Sequence, residues 1–168
     1  MERMIKVNNI IFLDINGPLV THDYLVKEVK DNNGVNDINF QFNFCPVSLE
    51  NLKQIVDATN ARIVITSTWR TSRNSLYHDP LRKYWTAILH NLEKVNLRRR
   101  IFDITPLLGS SVSRGDEILA WLKKYYSYIN SPLGRGIRKF VILDDDHNMG
   151  ILIDHLVLCG PSGITDEV

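Results

Sequence analysis

Cysteine is scarce in this sequence, with only two residues, Cys45 and Cys159. They lie far apart, and neither belongs to a CxxC pair or has a neighbouring histidine. This argues against a disulfide framework and against a zinc site. At most one disulfide can form, and two ordinary thiols in a reducing compartment are the simpler expectation.

Long apolar runs and an excess of charge of one sign are also lacking. The 20 Lys+Arg residues face 19 Asp+Glu residues, a net charge of +1, so the overall charge does not indicate a nucleic-acid or membrane surface as partner. The first residues carry charge without the apolar stretch of a secretory signal, and no run reaches the length of a membrane span. We therefore expect a soluble, cytoplasmic protein without a membrane partner, and the oligomeric state stays open.

The apolar residues that are present fall into short runs separated by longer periodic segments. Runs rich in Ile, Val and Leu occur at residues 10–13, 62–66, 140–143 and 156–158, and their lack of alternation favours strands buried on both faces of a parallel sheet. Helical patterns cover residues 48–59, 80–93 and 115–126. This alternation predicts an α/β fold, a Rossmann-like three-layer sandwich with a central parallel sheet. The length favours one domain over residues 1–168.

Residues 20–46 have a different pattern. Phe40, Phe42 and Phe44 alternate with polar residues, and Asn33-Gly34 is a strong turn signal. We therefore predict that this small insertion is a β-hairpin flap.

Polar side chains follow three of the strand-like runs. Asp14 follows the first run, Ser67 and Thr68 the second, and Asp144 and Asp145 the third. Because the carboxyl ends of parallel strands meet at one edge of a sheet, these side chains are expected to converge on one crevice. Carboxylates suit magnesium, while hydroxyl and N–H groups suit phosphate, so the sequence predicts a cation and phosphate pocket. Taken singly, each group is also explained as turn or helix-cap chemistry.

Four segments, in the order IIFLDINGPL, IVITSTWR, SRGDEILAWL and FVILDDD, resemble the four motifs of the haloacid dehalogenase (HAD) superfamily. Within it, the chain is most similar to small phosphatase domains related to the Swiss Army Knife RNA repair proteins. The later segment HLVLCGPSGIT also resembles the ending of that group. This resemblance spans nearly the whole chain, and it implies a HAD-like fold with a minimal cap and a magnesium-dependent phosphomonoester phosphatase.

The resemblance also implies roles for individual residues. Asp14 matches the nucleophile, which forms an aspartyl-phosphate and also binds magnesium. Ser67 matches the hydroxyl that holds the transferring phosphoryl oxygens, helped by the backbone N–H of Thr68. Arg114 matches the cation that balances the charge of the nucleophile and the phosphoryl group.

The remaining matches concern the metal and the surroundings of the phosphate. Asp145 matches the direct metal ligand, and Asp144 matches the neighbour that usually acts through a water. Arg70 follows the phosphate-binding turn and is predicted to extend it toward a polyanionic substrate, with a solvated arginine as the alternative. The three arginines from Arg98 to Arg100 are either a solvated helix end or part of a face that tracks phosphates.

The chain departs from the family pattern at Asn16. The family usually has Asp at this position, where it protonates the leaving oxygen and then activates the water that cleaves the aspartyl-phosphate. An amide cannot shuttle that proton, so we expect binding with slow hydrolysis. Asn16 indicates either a naturally weak enzyme or an Asp-to-Asn change made to trap a ligand. The alternative function is a catalytically inactive phosphate- or metal-binding module of the same fold.

The small insertion between the first two motifs is too short for a large cap domain. HAD members without such a cap usually act on substrates that are themselves large. The resemblance therefore implies a phosphorylated substrate, with a nucleic-acid 3′ or 5′ terminus or a nucleotide as the leading candidates. Metal-dependent nucleases also carry aspartates after a strand late in the chain, as Asp144 and Asp145 are here. A nuclease domain of this kind requires a glutamate early in the chain, where this sequence has Asp14. The hydroxyls of Ser67 and Thr68 would have no role in it.

Overall fold

The computed structural model describes residues 9–31, 42–74, 79–129 and 139–166. The strands in these ranges are β1 (Asn9–Leu13), β2 (Arg62–Ile65), β3 (Ile101–Ile104), β4 (Lys139–Asp144) and β5 (Leu156–Leu158). The α-helices are α1 (His22–Asp31), α2 (Pro46–Thr59), α3 (Arg82–Lys94) and α4 (Arg114–Ile129). Short 3-10 helices cover Thr68–Asn74, Arg98–Arg100 and Gly150–His155. Within the described ranges, none of the helices combines the length and apolar character needed to cross a membrane.

The five strands form one parallel sheet in the order β3-β2-β1-β4-β5. Strand β1 is central, and its last residue, Leu13, is in register with Ile65 of β2 and Leu143 of β4. All three strands therefore end at the same level, and the residues that follow them lie side by side at one edge of the sheet.

Alternate residues of the central strands supply two separate apolar cores. Ile11 and Leu13 of β1 face one core, which includes Leu52 of α2 and Ile88 of α3. Ile10 and Phe12 of β1 belong to the other core, which contains Ile118 and Trp121 of α4. Because helices cover both faces of the sheet, the predicted α/β three-layer sandwich is confirmed.

All four predicted strands and all three predicted helices are present, with ends that differ by a few residues. Strand β3 was not predicted. Its short segment is interrupted by Asp103, whose carboxylate accepts hydrogen bonds from Trp121 Nε1 at 2.9 Å and from the Tyr125 hydroxyl at 2.7 Å. A half-buried edge strand of four residues lacks the continuous apolar run that identified the other strands.

The predicted β-hairpin over residues 20–46 is wrong for the part that the structure describes. The helix α1 occupies the place of the first hairpin strand, and Phe42 and Phe44 lie outside the strands. The Thr21 hydroxyl accepts a hydrogen bond from the backbone N–H of Tyr24 at 3.2 Å, which is the contact of a helix N-cap. A threonine at this position is a sequence signal for the start of a helix, which the hairpin prediction did not take into account. Residues 32–41, with the expected Asn33-Gly34 turn, lie outside the described residues.

Candidate active site

Three carboxylates from two neighbouring strand ends form one cluster. Asp14 directly follows β1, Asp144 is the last residue of β4, and Asp145 follows it. One oxygen from each of the three lies within 4.8 Å of the other two. The backbone N–H of Asp14 donates to the Leu143 carbonyl at 3.0 Å, which extends the pairing of the two strands into the cluster. The sheet therefore brings together the three residues predicted to bind metal.

Two oxygens of this cluster are buried without a hydrogen bond. They are Oδ1 of Asp14 and Oδ2 of Asp144, and the other Asp144 oxygen accepts the backbone N–H of Asp146 at 3.0 Å. Buried polar atoms normally have a partner, and a missing one points to an ion, a water or a catalytic role. Three carboxylates, two of which have a buried oxygen without a hydrogen bond, suit a hard cation such as magnesium, so the residues present fit the implied metal.

The carboxylates also shift one another's protonation. Burial, and then the charge of Asp14, raise the pKa of Asp144 to about 7. Burial raises the pKa of Asp14 too, although Arg114 opposes the shift. Burial and the neighbouring carboxylates raise the pKa of the Cys159 thiol to about 12. Each of these groups resists acquiring a negative charge in this cluster, and a bound cation would relieve that resistance.

Arg114 is the first residue of α4 and supplies a positive charge to the cluster. Its Nη1 lies 3.6 Å from Asp14 Oδ1, and its Nε lies 3.7 Å from Asp144 Oδ2. The following Gly115 allows this approach, because a Cβ there would come within 2.3 Å of the Met149 carbonyl oxygen. The start of α4 thus packs directly on the segment that follows Asp144 and Asp145.

Ser67 lies beside Asp14, as the sequence predicted. It is 1% exposed, and its side chain makes a hydrogen bond that lowers the pKa of Asp14. Its oxygen accepts the backbone N–H of Trp69 at 3.4 Å. Thr68 has an exposed side chain and begins the 3-10 helix Thr68–Asn74. Ser67, Asp14 and Arg114 therefore occupy one corner of the crevice, where a phosphoryl group can contact all three.

Arg70 does not lie where the sequence analysis expected it. Its side chain is 1% exposed, which is too buried for a residue that reaches toward a polyanionic substrate. The guanidinium donates to backbone carbonyls and pairs with the Glu117 carboxylate. Burial lowers the pKa of Arg70, and the charge of Glu117 opposes that shift. The partner is 47 residues away in sequence, so no local pattern could have identified it.

Replacing Arg70 with Ala is expected to lower the free energy of unfolding by about 3–5 kcal/mol, because the change leaves the Glu117 carboxylate buried without its partner. Denaturant unfolding followed by circular dichroism measures the change. Arg73→Ala is the matched control, since its ion pair with Asp103 is long, at 3.8 Å, and its side chain is 43% exposed. We expect the control to change the stability by less than about 1 kcal/mol. Equal losses for both variants would contradict a structural role for Arg70.

The loop after Asp14 forms the opposite wall of the crevice. Asn16 is exposed and forms a bridge with Val20. Gly17 has φ of +80°, and a Cβ at this position would lie 2.4 Å from Cγ of Asp145. Gly17 and Asp145 are far apart in the sequence, so no local pattern indicated this close approach.

A cavity of about 580 Å³ adjoins this loop. Asn16, Gly17 and Asp145 line it on the side of the cluster, and His22 and Leu25 of α1 line it on the other side. Its volume is within the range of ligand-binding pockets. A group bonded to a phosphate at the cluster therefore has space beside Asn16.

The three arginines considered for a phosphate-tracking face, Arg98 to Arg100, lie elsewhere. They form a 3-10 helix before β3, and Arg62 begins β2, so all four lie at the amino ends of their strands, whereas the cluster lies at carboxyl ends. Arg62 Nη1 donates to the Arg99 carbonyl at 2.7 Å, and Arg100 Nη1 donates to Asn60 Oδ1 at 2.6 Å. These contacts favour a structural role at the opposite edge of the sheet.

Comparisons with known proteins found a matching family model and a similar solved structure. The family model for the HAD domain in Swiss Army Knife RNA repair proteins matches residues 10–168. Among solved structures, a haloacid dehalogenase-like family hydrolase from Streptococcus pneumoniae is similar at 12% sequence identity, with a TM-score of 0.42. That match covers 90% of this chain and 81% of the other. No curated protein matches the chain.

Proposed function

This chain belongs to the family of HAD domains found in Swiss Army Knife RNA repair proteins, and from that premise we propose that it is a magnesium-dependent phosphomonoester phosphatase acting through an aspartyl-phosphate on Asp14. The observation that carries the proposal is the meeting of three carboxylates, Arg114 and Ser67 at one edge of the sheet. A nucleophile, a cation and a hydroxyl donor that lie next to one another suit phosphoryl transfer.

In the first step, an oxygen of Asp14 attacks phosphorus, the bond from phosphorus to the leaving oxygen breaks, and the leaving oxygen takes a proton from solvent water because Asn16 cannot supply one. Water then cleaves the aspartyl-phosphate and releases inorganic phosphate. Ser67 donates a hydrogen bond to the phosphoryl oxygens, and Arg114 balances their charge together with that of Asp14. Magnesium held by Asp14, Asp145 and Asp144 would supply Lewis-acid stabilisation of the same oxygens.

The substrate proposal is a phosphorylated nucleic-acid terminus or a nucleotide. The cavity beside Asn16, with Leu25 and Pro161 among its walls, supports a leaving group larger than a simple alcohol. Within the described residues, no folded cap covers Asp145, which is exposed. An open crevice supports a substrate whose bulk extends into solvent.

Asn16 supports a second candidate, a module that binds phosphate or metal without turnover. The residue lines the crevice at the position where the family usually carries its proton-transferring aspartate, and an amide does not transfer protons at neutral pH. The two candidates differ in one measurable property, which is the release of phosphate.

The experiment that tests the proposal measures inorganic phosphate released from para-nitrophenyl phosphate and from oligonucleotides with a 3′ or 5′ phosphate. We expect slow release by the chain with magnesium, and none after chelation with EDTA. Asp14→Ala is the blank, since it removes the nucleophile. If magnesium binds while neither the chain nor its Asn16→Asp variant releases phosphate from any of these substrates, the binding module replaces the phosphatase.

A further inference from the structure

Arg70 joins three segments that are distant in sequence. Its Nε donates to the Thr105 carbonyl at 3.0 Å and its Nη2 to the Pro106 carbonyl at 3.2 Å, both after β3. Its Nη1 donates to the Thr66 carbonyl at the end of β2, and its Nη2 pairs with Glu117 of α4. Four of the five guanidinium N–H groups thus have partners, which the single ammonium of a lysine could not reproduce.

Glu117 holds the other side of this junction. It is 7% exposed, and its second oxygen accepts the backbone N–H of Leu108 at 3.3 Å. Glu117 lies three residues after Arg114 on α4, so both side chains are on the same face of the helix. Fixing Glu117 therefore also fixes the part of α4 from which Arg114 reaches the crevice.

The Thr66 carbonyl oxygen is the point where the two arginines meet. It accepts hydrogen bonds from Nη1 of Arg70 and from Nη1 of Arg114. This carbonyl shares a planar peptide unit with the backbone N–H of Ser67. Its orientation consequently determines the direction of that N–H and the place where the Ser67 side chain begins.

We propose that the buried Arg70–Glu117 pair is a positioning device that sets Ser67 and Arg114 relative to each other across the crevice. The inference rests on the proposed phosphatase function, and neither residue touches the substrate. A buried ion pair seldom stabilises a fold more than apolar side chains of similar volume do. The Arg70–Glu117 pair instead fixes the distance between the Ser67 hydroxyl and the Arg114 guanidinium, which act on the same phosphoryl group. A misplacement of about 1 Å in such an arrangement can slow a reaction about 10²-fold.

The test separates positioning from stability by replacing both charges with apolar side chains. The double variant Arg70→Met/Glu117→Leu is made in the Asn16→Asp chain, and its melting temperature, kcat and KM for para-nitrophenyl phosphate are compared with those of that parent. We expect a lower melting temperature, because the Thr105 and Pro106 carbonyls lose their donor. The kinetics are therefore measured well below that temperature, where we expect a kcat/KM lower by about tenfold or more. A folded double variant that keeps the kcat/KM of the parent overturns the proposal, because the pair would then only fill the core.

The matched control is Lys53→Ala/Asp57→Ala, which removes an exposed ion pair on α2, a helix that contributes none of the residues of the candidate site. It should leave kcat/KM within about twofold of the parent, since exposed pairs contribute little. If the apolar double variant does not fold, Glu117→Gln replaces it. This near-isosteric change is measured well below its melting temperature, and an unchanged kcat/KM there also overturns the proposal.

An inactive Asn16→Asp parent would be a failure of the proposed function, which is a different result. The positioning role is then decided by crystal structures of the parent and the double variant. A shift of Arg114 Nη1 by an ångström or more from its 3.6 Å separation to Asp14 Oδ1 supports the role. An unchanged separation, with Ser67 still bonded to Asp14, overturns it.

Discussion

Asn16→Asp is expected to raise magnesium-dependent phosphate release by about 10²–10⁴-fold, the usual contribution of general acid–base assistance. The carboxylic acid would protonate the leaving oxygen, and the carboxylate so formed would then take a proton from the attacking water. Asn16 is exposed and lines the cavity that adjoins Asp145, so the new group would face the space where the leaving oxygen departs. Steady-state kinetics with para-nitrophenyl phosphate and phosphorylated oligonucleotides measure the gain.

Two controls make this result specific. Asn148→Asp adds the same charge at another exposed residue close in sequence to the late aspartates, so it reports any effect of charge alone. Asp14→Ala combined with Asn16→Asp should be inactive, because the nucleophile is absent. An equal gain from Asn148→Asp, or activity without Asp14, would contradict proton transfer at position 16.

Gly17→Ala is expected to weaken magnesium binding by about 10–100-fold, the usual cost of disturbing the surroundings of a metal ligand. The new Cβ would lie 2.4 Å from Cγ and 2.6 Å from Oδ2 of Asp145. Both distances are far below van der Waals contact, so Asp145 must move. Isothermal titration calorimetry with magnesium measures the affinity, and phosphate release should fall with it.

Gly150→Ala is the matched control for this variant. Gly150 also has a positive φ, +55°, but a Cβ there meets no atom within 4 Å. Both substitutions therefore impose the strain of a left-handed alanine, about 1–2 kcal/mol, and only Gly17→Ala displaces a carboxylate. If the two variants bind magnesium equally well, Asp145 is not the ligand that we propose.

Much of the candidate site could be predicted because its residues follow strands that are plain in the sequence. The continuous apolar runs before Asp14, Ser67 and Asp144 identified buried parallel strands, and such strands align their ends. Arg114 was identified by the resemblance of SRGDEILAWL to the third motif of the family. The structure brings these four residues together, and their catalytic roles stay predictions.

The sequence was less informative where a residue's role depends on distant partners. Arg70 follows the phosphate-binding turn, as an anion-binding arginine could, and its burial depends on Glu117 in a different helix. The contact of Gly17 with Asp145 joins two loops more than a hundred residues apart. Short segments failed for another reason, since β3 has only four residues with Asp103 among them, and the start of α1 is marked by its N-cap at Thr21 rather than by a long periodic run.

The order of the strands in the sheet has a consequence for the newly made chain as it leaves the ribosome. Strand β1 is made first and is central, yet its neighbour β4 begins only at Lys139. At about 5–20 residues per second, the apolar β1 waits on the order of ten seconds for that neighbour. Ile164, which is made later still, is fully buried in the folded chain, and its backbone N–H donates to the Pro18 carbonyl at 3.2 Å. One edge of β1 therefore stays unpaired while the residues between β1 and β4 are made, and an unpaired apolar strand edge is a place where a nascent chain can aggregate.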